Sequence, residues 1–442
     1  MNQCRKCGNT LKQNNDFCTT CGEPATTVGK LKKWLNGNFL LKSMLKIAFG
    51  TFCVVFFITL IIRVLPTISP SPATPAIQPH TQMQTIQPAP SDTVWNVYDR
   101  ESWNTALAAI RNSGNNRSHL INVTGNFSVP GKTEYTFGTL TDIKITFSGN
   151  NTISLSGAGS LLIINSEQTV ILRDLDLIGY INNKLSLVQI NNGTFTLHGN
   201  SSLTGNTTTG NGGGVTVTSN GNFTMHENSS IFGNTAAYDG GGIFARVATI
   251  KMNDNATVYG NAGRSGGGIG IRGGSFIMRG NASVFGNIAT GPNHHGGGGV
   301  FASMYYVVEW RVSDSGGPDA MVVRTLCRGT FTMHDNSSVF GNIAINSGGG
   351  VSVASATFIM HDNSSVSGNT AINNNGGGVF ISTGGTFTKT GGTIHGNNAP
   401  ANIRNTTTQG NGHAVFQATP RRLRNTTADL TMNTNTAGFW EN

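Results

Sequence analysis

Apolar and polar residues alternate along most of the chain beyond about residue 120. The alternation is clear at Phe331 and Met333, and again at Val351 and Val353. A period of two is typical of a β-strand with one buried face, whereas a helical repeat needs a period of 3.6 residues and few glycines. The pattern therefore predicts short strands joined by Gly and Asn turns, three strands to a unit, and it excludes helical repeats.

One segment of the chain recurs at a nearly constant spacing. It reads FTMHDNSSVFGN from Phe331, and a glycine run followed by Val or Ile separates most successive copies. The copies begin at Phe195, Phe223, Ile250, Phe276, Phe331 and Phe358, with a weaker copy at Phe387. Their spacings are 28, 27, 26, 55, 27 and 29 residues, and we interpret 55 as two periods. The repeat predicts a stack of coils of about 27 residues each.

The positions that stay constant between copies predict the buried face of each coil. These are the Phe or Ile, the Met or Leu, and the later Val or Ile of the segment, which would form ladders along the stack. The next residue varies and is expected to point outward, at Thr204, Phe232, Tyr259, Phe340 and Ser367. A recurring Asn is expected to turn inward and bond to the next coil, at Asn206, Asn234, Asn261, Asn287, Asn342 and Asn369.

These motifs resemble the right-handed parallel β-helix of the pectin-lyase-like superfamily, and more narrowly the repeats of polymorphic outer-membrane proteins and adhesin-like proteins. Those families carry a GG-aliphatic motif and an FxxN motif, where this chain has GGG[VI] and [VIL]xGN. The resemblance covers about residues 120–420. It implies an all-β fold, a right-handed parallel β-helix, and in the enzymes of the superfamily a cluster of Asp with Arg or Lys on one face.

The regions before the repeat differ in composition and predict separate parts. We expect a zinc-ribbon at 1–24, a basic juxtamembrane segment at 25–46, a transmembrane helix at 47–65, a Pro-rich linker at 66–93, and the β-helix at 94–442, with regular repeats at about 195–400. A helix at 99–113 would place Trp103, Leu107 and Ile110 on one face, between an Asp99 N-cap and Gly114. Such a helix would cover the open end of the solenoid and its unpaired strand edges.

The apolar stretch at 47–65 contains a single charge, Arg63, near its end. A cleaved signal peptide has an apolar core of about 7–15 residues, so this longer run, which starts after 46 residues, favours an uncleaved signal anchor. Lysines precede the stretch, and after Arg63 no Lys or Arg occurs before Arg100. The positive-inside rule then predicts a cytoplasmic N-terminus and an extracytoplasmic β-helix.

Four cysteines near the N-terminus form two CxxCG pairs, Cys4 with Cys7 and Cys18 with Cys21. Two close thiolate pairs match a tetrahedral zinc site, and for a segment in a reducing cytosol this is favoured over two disulfides or free thiols. The pattern resembles the short zinc-ribbon at the N-terminus of many bacterial membrane proteins. Because protein would supply all four ligands, the zinc ion is expected to be structural.

The distribution of charge along the chain argues against a function in nucleic-acid binding. The net charge is +9, but residues 1–65 hold nine Lys and Arg against two Asp and Glu, while the remainder holds twenty against eighteen. The repeat region is nearly neutral, and charged residues are only 11% of the chain. A basic face that would contact phosphates is therefore not predicted.

Three groups of residues invite a chemical interpretation. His198, His226, His334 and His361 recur at one position, but Arg279 and Asn253 interrupt the series, so a solvated polar face is favoured over a metal site. The same interpretation applies to the acidic residues Glu227, Asp254, Asp335 and Asp362. Arg173, Asp174 and Asp176 form the only compact acidic and basic group, and alternation within a solvated strand explains it without catalysis.

The segment 304–329 breaks the repeat, with Trp310, Cys327 and three arginines and neither motif. A functional insertion, a divergent coil and an out-of-frame repeat all remain open, and its length favours divergence or decay.

Taken together, the sequence predicts a non-catalytic, membrane-anchored binding or adhesive surface for glycan or protein ligands. A polysaccharide lyase or hydrolase is the alternative, and a structural spacer is the third hypothesis.

Overall fold

A computed structural model describes residues 93–131, 137–292, 296–311 and 321–418, and the strands Leu423–Asn425, Thr431–Met432 and Phe439–Glu441. The expected zinc-ribbon, basic segment and transmembrane helix, and all but the last residue of the linker, lie outside these residues. Within the described ranges, no helix has both the length and the apolar character that a membrane span requires.

The described chain is an all-β parallel solenoid of the right-handed type, with about 10 turns and about 27 residues per coil. A regular coil contributes strands to four parallel ladders, which we name sheets I to IV in the order in which the chain meets them after the glycine run. Sequence analysis predicted three strands in each coil. The fourth, in sheet IV, is only two residues long, too short for a period-two pattern to reveal.

Sheets I and II merge because Ile243–Met252 and Ile269–Met278 run through both. Sheet I contains Leu162–Ile164, Val188–Asn191, Val215–Thr218, the first halves of these two long strands, the start of Val300–Arg311, Val351–Ala354, Val379–Ile381 and Val415–Gln417. Sheet II contains Thr93–Val97, Ser118–Val123, Ile143–Ser148, Gln168–Arg173, Thr194–His198, Asn222–Met225, the second halves of the two long strands, the end of Met321–Met333, Thr357–Met360, Thr386–Lys389 and Leu423–Asn425.

Sheets III and IV follow the turn after sheet II. Sheet III contains Phe127–Val129, Thr152–Leu155, Asp176–Ile178, Ser202–Thr204, Ser230–Phe232, Thr257–Tyr259, Ser283–Phe285, Ser338–Phe340, Ser365–Ser367 and Thr393–Ile394. Sheet IV contains Thr207–Thr208, Thr235–Ala236, Ala262–Gly263, Ile288–Ala289, Ile343–Ala344, Thr370–Ala371 and Thr406–Thr407. At the C-terminal end, Phe439–Glu441 pairs antiparallel with Val415–Gln417 and with Thr431–Met432.

The constant apolar positions face inward, as predicted. Phe331, Met333, Val339 and Val351 are fully buried, and so are their equivalents in neighbouring coils. Equivalent phenylalanines stack along the core, with ring centroids 4.8 Å apart between Phe276 and Phe331. Because the strand spacing is about 4.8 Å, in-register coils place identical rings in contact.

The predicted asparagine ladder is present and buried. Nδ2 of Asn261 donates to Oδ1 of Asn287 at 3.0 Å, and the backbone N–H of Asn261 donates to the same oxygen at 3.0 Å. Its Nδ2 also donates to the carbonyls of Ile231 and Tyr259. The side chain thus satisfies backbone groups at a corner where the strands end. The ladder extends beyond the predicted members to Asn405, whose Oδ1 accepts a hydrogen bond from Nδ2 of Asn369.

The predicted capping helix is Arg100–Arg111. Asp99 and Ser102 form a reciprocal capping box, with the Asp99 carboxylate 2.8 Å from the Ser102 backbone nitrogen. The apolar face buries Trp103, Ala106, Leu107 and Ile110 against the first coils.

Residues 304–329 do not form a coil. Val300–Arg311 and Met321–Met333 pair antiparallel from Met304 opposite Arg328 to Arg311 opposite Met321, and so form a hairpin. Phe276 pairs directly with Phe331. The interpretation of the 55-residue spacing as two periods is therefore wrong, because the spacing holds one coil and an inserted hairpin of similar length. Of the three explanations left open, the structure shows an insertion rather than a divergent coil.

The base of the hairpin is braced against coils on both sides. The guanidinium of Arg246 lies 5.4 Å from the ring centroid of Tyr305, and Nη1 of Arg328 donates to the carbonyls of Ser355 and Gly384. These contacts hold the inserted strands at the corner between sheets I and II.

Candidate functional site

The outer face of sheet III carries a column of stacked aromatic side chains. Phe232, Tyr259, Phe285 and Phe340 occupy one position in four successive coils. Successive ring centroids are 4.9, 5.0 and 4.9 Å apart, and neighbouring ring planes lie within 5° of parallel. We call these four residues the aromatic column.

The aromatic column faces outward, as the varying position predicted. Phe340 is 38% exposed, and the other three side chains are partly exposed. Partial burial raises the pKa of the Tyr259 hydroxyl. Phe285 was missing from the predicted outward set, although it holds the equivalent place in its copy, just before Gly286 and Asn287.

Polar and apolar side chains frame the aromatic column. On the same strands, a Ser or Thr stands two residues before each ring, at Ser230, Thr257, Ser283 and Ser338. In the flanking coils, Thr204 and Ser367 replace the ring. Beyond the turn, sheet IV places Ile343 outward with 37% of its surface exposed, and Ile288 is its neighbour in register. The result is an apolar ridge bounded by hydroxyl groups.

The predicted histidine series lies on the outer face of sheet II and forms two stacked pairs. The rings of His198 and His226 are 4.8 Å apart, and those of His334 and His361 are 4.7 Å apart. Burial lowers the pKa of His198 and of His334, and the neighbouring cations Arg173 and Arg279 lower them further. Across the described part of the chain, no group of three metal-ligating side chains comes together.

The acidic residues that follow the histidines have a structural role at the turn. Glu227, Asp254, Asp335 and Asp362 all adopt positive φ, between 51° and 57°. Oδ2 of Asp254 accepts the backbone N–H of Glu227 at 2.9 Å, and Oδ2 of Asp362 accepts that of Asp335 at 2.9 Å. Each of these carboxylates therefore satisfies a backbone donor in the preceding coil.

The carboxylates of the compact group Arg173, Asp174 and Asp176 also accept hydrogen bonds between coils, but from donors in the next coil. Oδ1 of Asp174 accepts the backbone N–H of Asn200, and Oδ1 of Asp176 accepts the hydroxyl of Ser202. Asp174 lies at the turn with φ 51°, so the two carboxylates do not share a strand, contrary to the sequence-based interpretation. Arg173 approaches Glu227, with 3.9 Å between Nη1 and Oε2.

A cleft of about 440 Å³ opens on the outer face of sheet II within the histidine series. It is lined by Thr224, His226, Lys251, Asn253, Ile277 and Arg279. Sequence reasoning named His226, Asn253 and Arg279 but not Lys251, which stands on the same face two residues before Asn253. The predicted zinc ligands Cys4, Cys7, Cys18 and Cys21 lie outside the described residues.

Comparison with protein-family models gave no match for this chain, and a comparison with curated proteins also gave none. The solenoid is consistent with a pectin-lyase-like β-helix. That likeness rests on the fold and on the repeat motifs of the chain itself.

Proposed function

We propose that this protein is a membrane-anchored, extracytoplasmic β-helix whose outer face binds glycan or protein ligands without catalysis. The observation that carries the proposal is the aromatic column. Four partly exposed rings in successive coils form a contiguous apolar surface, a feature that marks interaction sites on soluble proteins. Hydroxyl-bearing residues around it resemble the polar rim of an interface.

The geometry of the rings favours a protein ligand over a sugar chain. Rings about 5 Å apart and nearly parallel must overlap, so each inner ring has its faces covered by its neighbours. Sugar rings stack on aromatic faces, and here the outer faces of Phe232 and Phe340 remain. Ring edges and the exposed Ile343 suit packing against apolar side chains of a partner.

A binding array of glycans and host proteins, probed with the full-length chain, tests the proposal. Phe285→Ser and Phe340→Ser together should abolish the captured signal, because they remove two of the four rings of the aromatic column. Serine suits this position of the coil, since Ser367 already occupies it in the coil that follows Phe340. Tyr98→Ser is the matched control, since it removes a 60% exposed aromatic ring elsewhere on the surface. Equal binding by all variants would contradict a role for the column.

The alternative of a polysaccharide lyase or hydrolase rests on Arg173, Asp174 and Asp176. Both carboxylates already accept hydrogen bonds from the next coil, which gives them a structural reason to be present. Depolymerisation assays on uronate-containing and neutral glycans test this alternative. A spacer, the third hypothesis, would show neither depolymerisation nor binding.

The proposed anchoring depends on the segment 47–65 and on the lysines before it. A reporter fused after Pro90 should be active only in a form that works outside the cytoplasm. Activity of a cytoplasmic reporter at that position would overturn the proposed orientation, and with it the argument for a reduced zinc site.

A further inference from the structure

The cleft on sheet II exists because a short side chain interrupts a row of long ones. His226, Asn253 and Arg279 follow one another in successive coils at the end of the sheet II strands. Asn253 is smaller than its neighbours, so a gap remains between the imidazole and the guanidinium. Ile277 and Thr224 form part of its lining.

Two cations of the cleft lack a partner. Within the row, the histidine of one coil approaches the acid of the next, with 3.6 Å between Nδ1 of His226 and Oδ2 of Asp254 and 3.7 Å between Nδ1 of His334 and Oδ2 of Asp362. Among the described residues, the side chains of Lys251 and Arg279 form no hydrogen bond or ion pair. Both side chains are exposed.

The acidic row is interrupted beside Arg279. In that coil the turn position holds Gly280, so the guanidinium has no carboxylate in its own coil. The acid of the next coil, Asp335, accepts the backbone N–H of Gly280 at 2.8 Å. On the other side, Asp254 is shared between His226 and the backbone N–H of Glu227. Among the described residues, no ion pair joins Lys251 or Arg279 to either carboxylate.

We propose that the cleft between His226 and Arg279 binds a tetrahedral oxyanion, the chemical class of sulfate and phosphate groups. Arginine presents paired N–H donors to such an anion, and lysine adds a compact positive charge. The Thr224 hydroxyl and the Asn253 amide supply neutral donors in the same lining. The site lies on sheet II, whereas the aromatic column lies on sheet III, so the two are separate surfaces.

Calorimetric titration of the full-length chain with sodium sulfate, and separately with sodium phosphate, tests the site. Sodium chloride keeps the ionic strength constant, so that general screening does not change during the titration. We expect saturable binding of the anions to the wild-type chain. The anion that binds with the higher affinity identifies the preferred group. Arg279→Gln and Lys251→Gln should each weaken binding roughly tenfold or more, as expected for loss of a charge-assisted contact.

Lys184→Gln is the matched control, because it removes the same charge from an exposed loop position away from the cleft. It should bind like the wild-type chain. No saturable binding by the wild-type chain, or equal binding by the Arg279 and Lys251 variants, would overturn the site. Phe285→Ser with Phe340→Ser should leave the anion titration unchanged, so failure of this site and failure of the aromatic column give different results.

Discussion

Nδ2 of Asn287 donates a hydrogen bond to Oδ1 of Asn342 at 3.0 Å, although the two residues are 55 positions apart. The backbone N–H of Asn287 donates to the same oxygen at 3.0 Å. The asparagine ladder therefore passes the inserted hairpin without a break. Continuity of this ladder depends on the coils in space and not on the distance along the chain.

Removing one member of the ladder should destabilise the solenoid. Asn287→Leu leaves the carbonyls of Val258 and Phe285 without their donor and the Asn261 backbone N–H without its acceptor. We expect a loss of about 2–4 kcal/mol in the free energy of unfolding, measured by urea denaturation of the full-length chain. Asn281→Ala is the control, because Asn281 is exposed and its Nδ2 donates to Oδ1 of the exposed Asn255. This substitution should cost less than about 0.5 kcal/mol. Similar effects of the two substitutions would contradict a special role for the buried ladder.

Placing a charge on the inner face should be far more costly than placing it on the outer face. Val351 is fully buried between the coils, so Val351→Asp would bury a carboxylate without a partner. We expect a loss of several kcal/mol in stability. Thr332→Asp, on the outer face of sheet II, should change stability by no more than about 1 kcal/mol. Thermal unfolding followed by circular dichroism compares them, and equal melting temperatures would contradict the assigned faces.

Neutralising the compact acidic group should have little effect. Asp174→Asn and Asp176→Asn each keep a side-chain oxygen that can accept the hydrogen bond from the next coil. We expect changes within about 0.5 kcal/mol in stability and in ligand binding. Loss of a measured activity in either variant, with the fold intact, would support the enzyme alternative in place of the binding surface.

Acid should weaken the region around the stacked histidines. Burial lowers the pKa of His198 and His334 below the ordinary value of 6.5, so the unfolded chain binds protons more readily than the folded chain in this range. The neutral forms of His198 and His334 contribute fully to stability above pH 6.5. This contribution falls as the pH drops from 6.5 toward the lowered pKa values of the two side chains in the folded chain. Denaturation midpoints measured between pH 7.5 and 5 should show this fall. His198→Gln with His334→Gln should reduce it, and an unchanged pH profile would contradict the assignment.

The N-terminal cysteines are predicted to hold one zinc ion. Cys4, Cys7, Cys18 and Cys21 would provide four thiolates, and a predicted module as short as residues 1–24 would have little core to fold without metal. Metal analysis of the purified full-length chain should find stoichiometric zinc, and Cys18→Ser should lose most of it. Cys327→Ser, which changes a cysteine of the hairpin, should retain the metal. Absence of zinc from the wild-type chain would contradict the prediction.

The ladders were predictable because each depends on one repeated position. Every regular copy has Asn at the position of Asn342 and Phe or Ile at the position of Phe331, and a recurring residue in a stacked coil must meet its own equivalents. The hairpin was not predictable, because its length is close to one period of the repeat. The spacing between copies alone cannot distinguish an additional coil from an inserted hairpin. The role of Asp254 was also not predictable. Its positive φ and its hydrogen bond with a backbone N–H in another coil cannot be inferred from the identity of the residue alone.

The hairpin leaves and returns at one corner of the solenoid. A Cβ atom at position 329 would lie 2.6 Å from the carbonyl oxygen of Ser303, so the two ends of the insertion approach as closely as glycine permits. Across the insertion the ring centroids of Phe276 and Phe331 are 4.8 Å apart, close to the 4.9 Å between Phe331 and Phe358 in the next pair of coils. The architecture can therefore grow in two independent ways: another coil lengthens the solenoid, and an inserted hairpin widens it at one coil while the parallel ladders on either side stay in register.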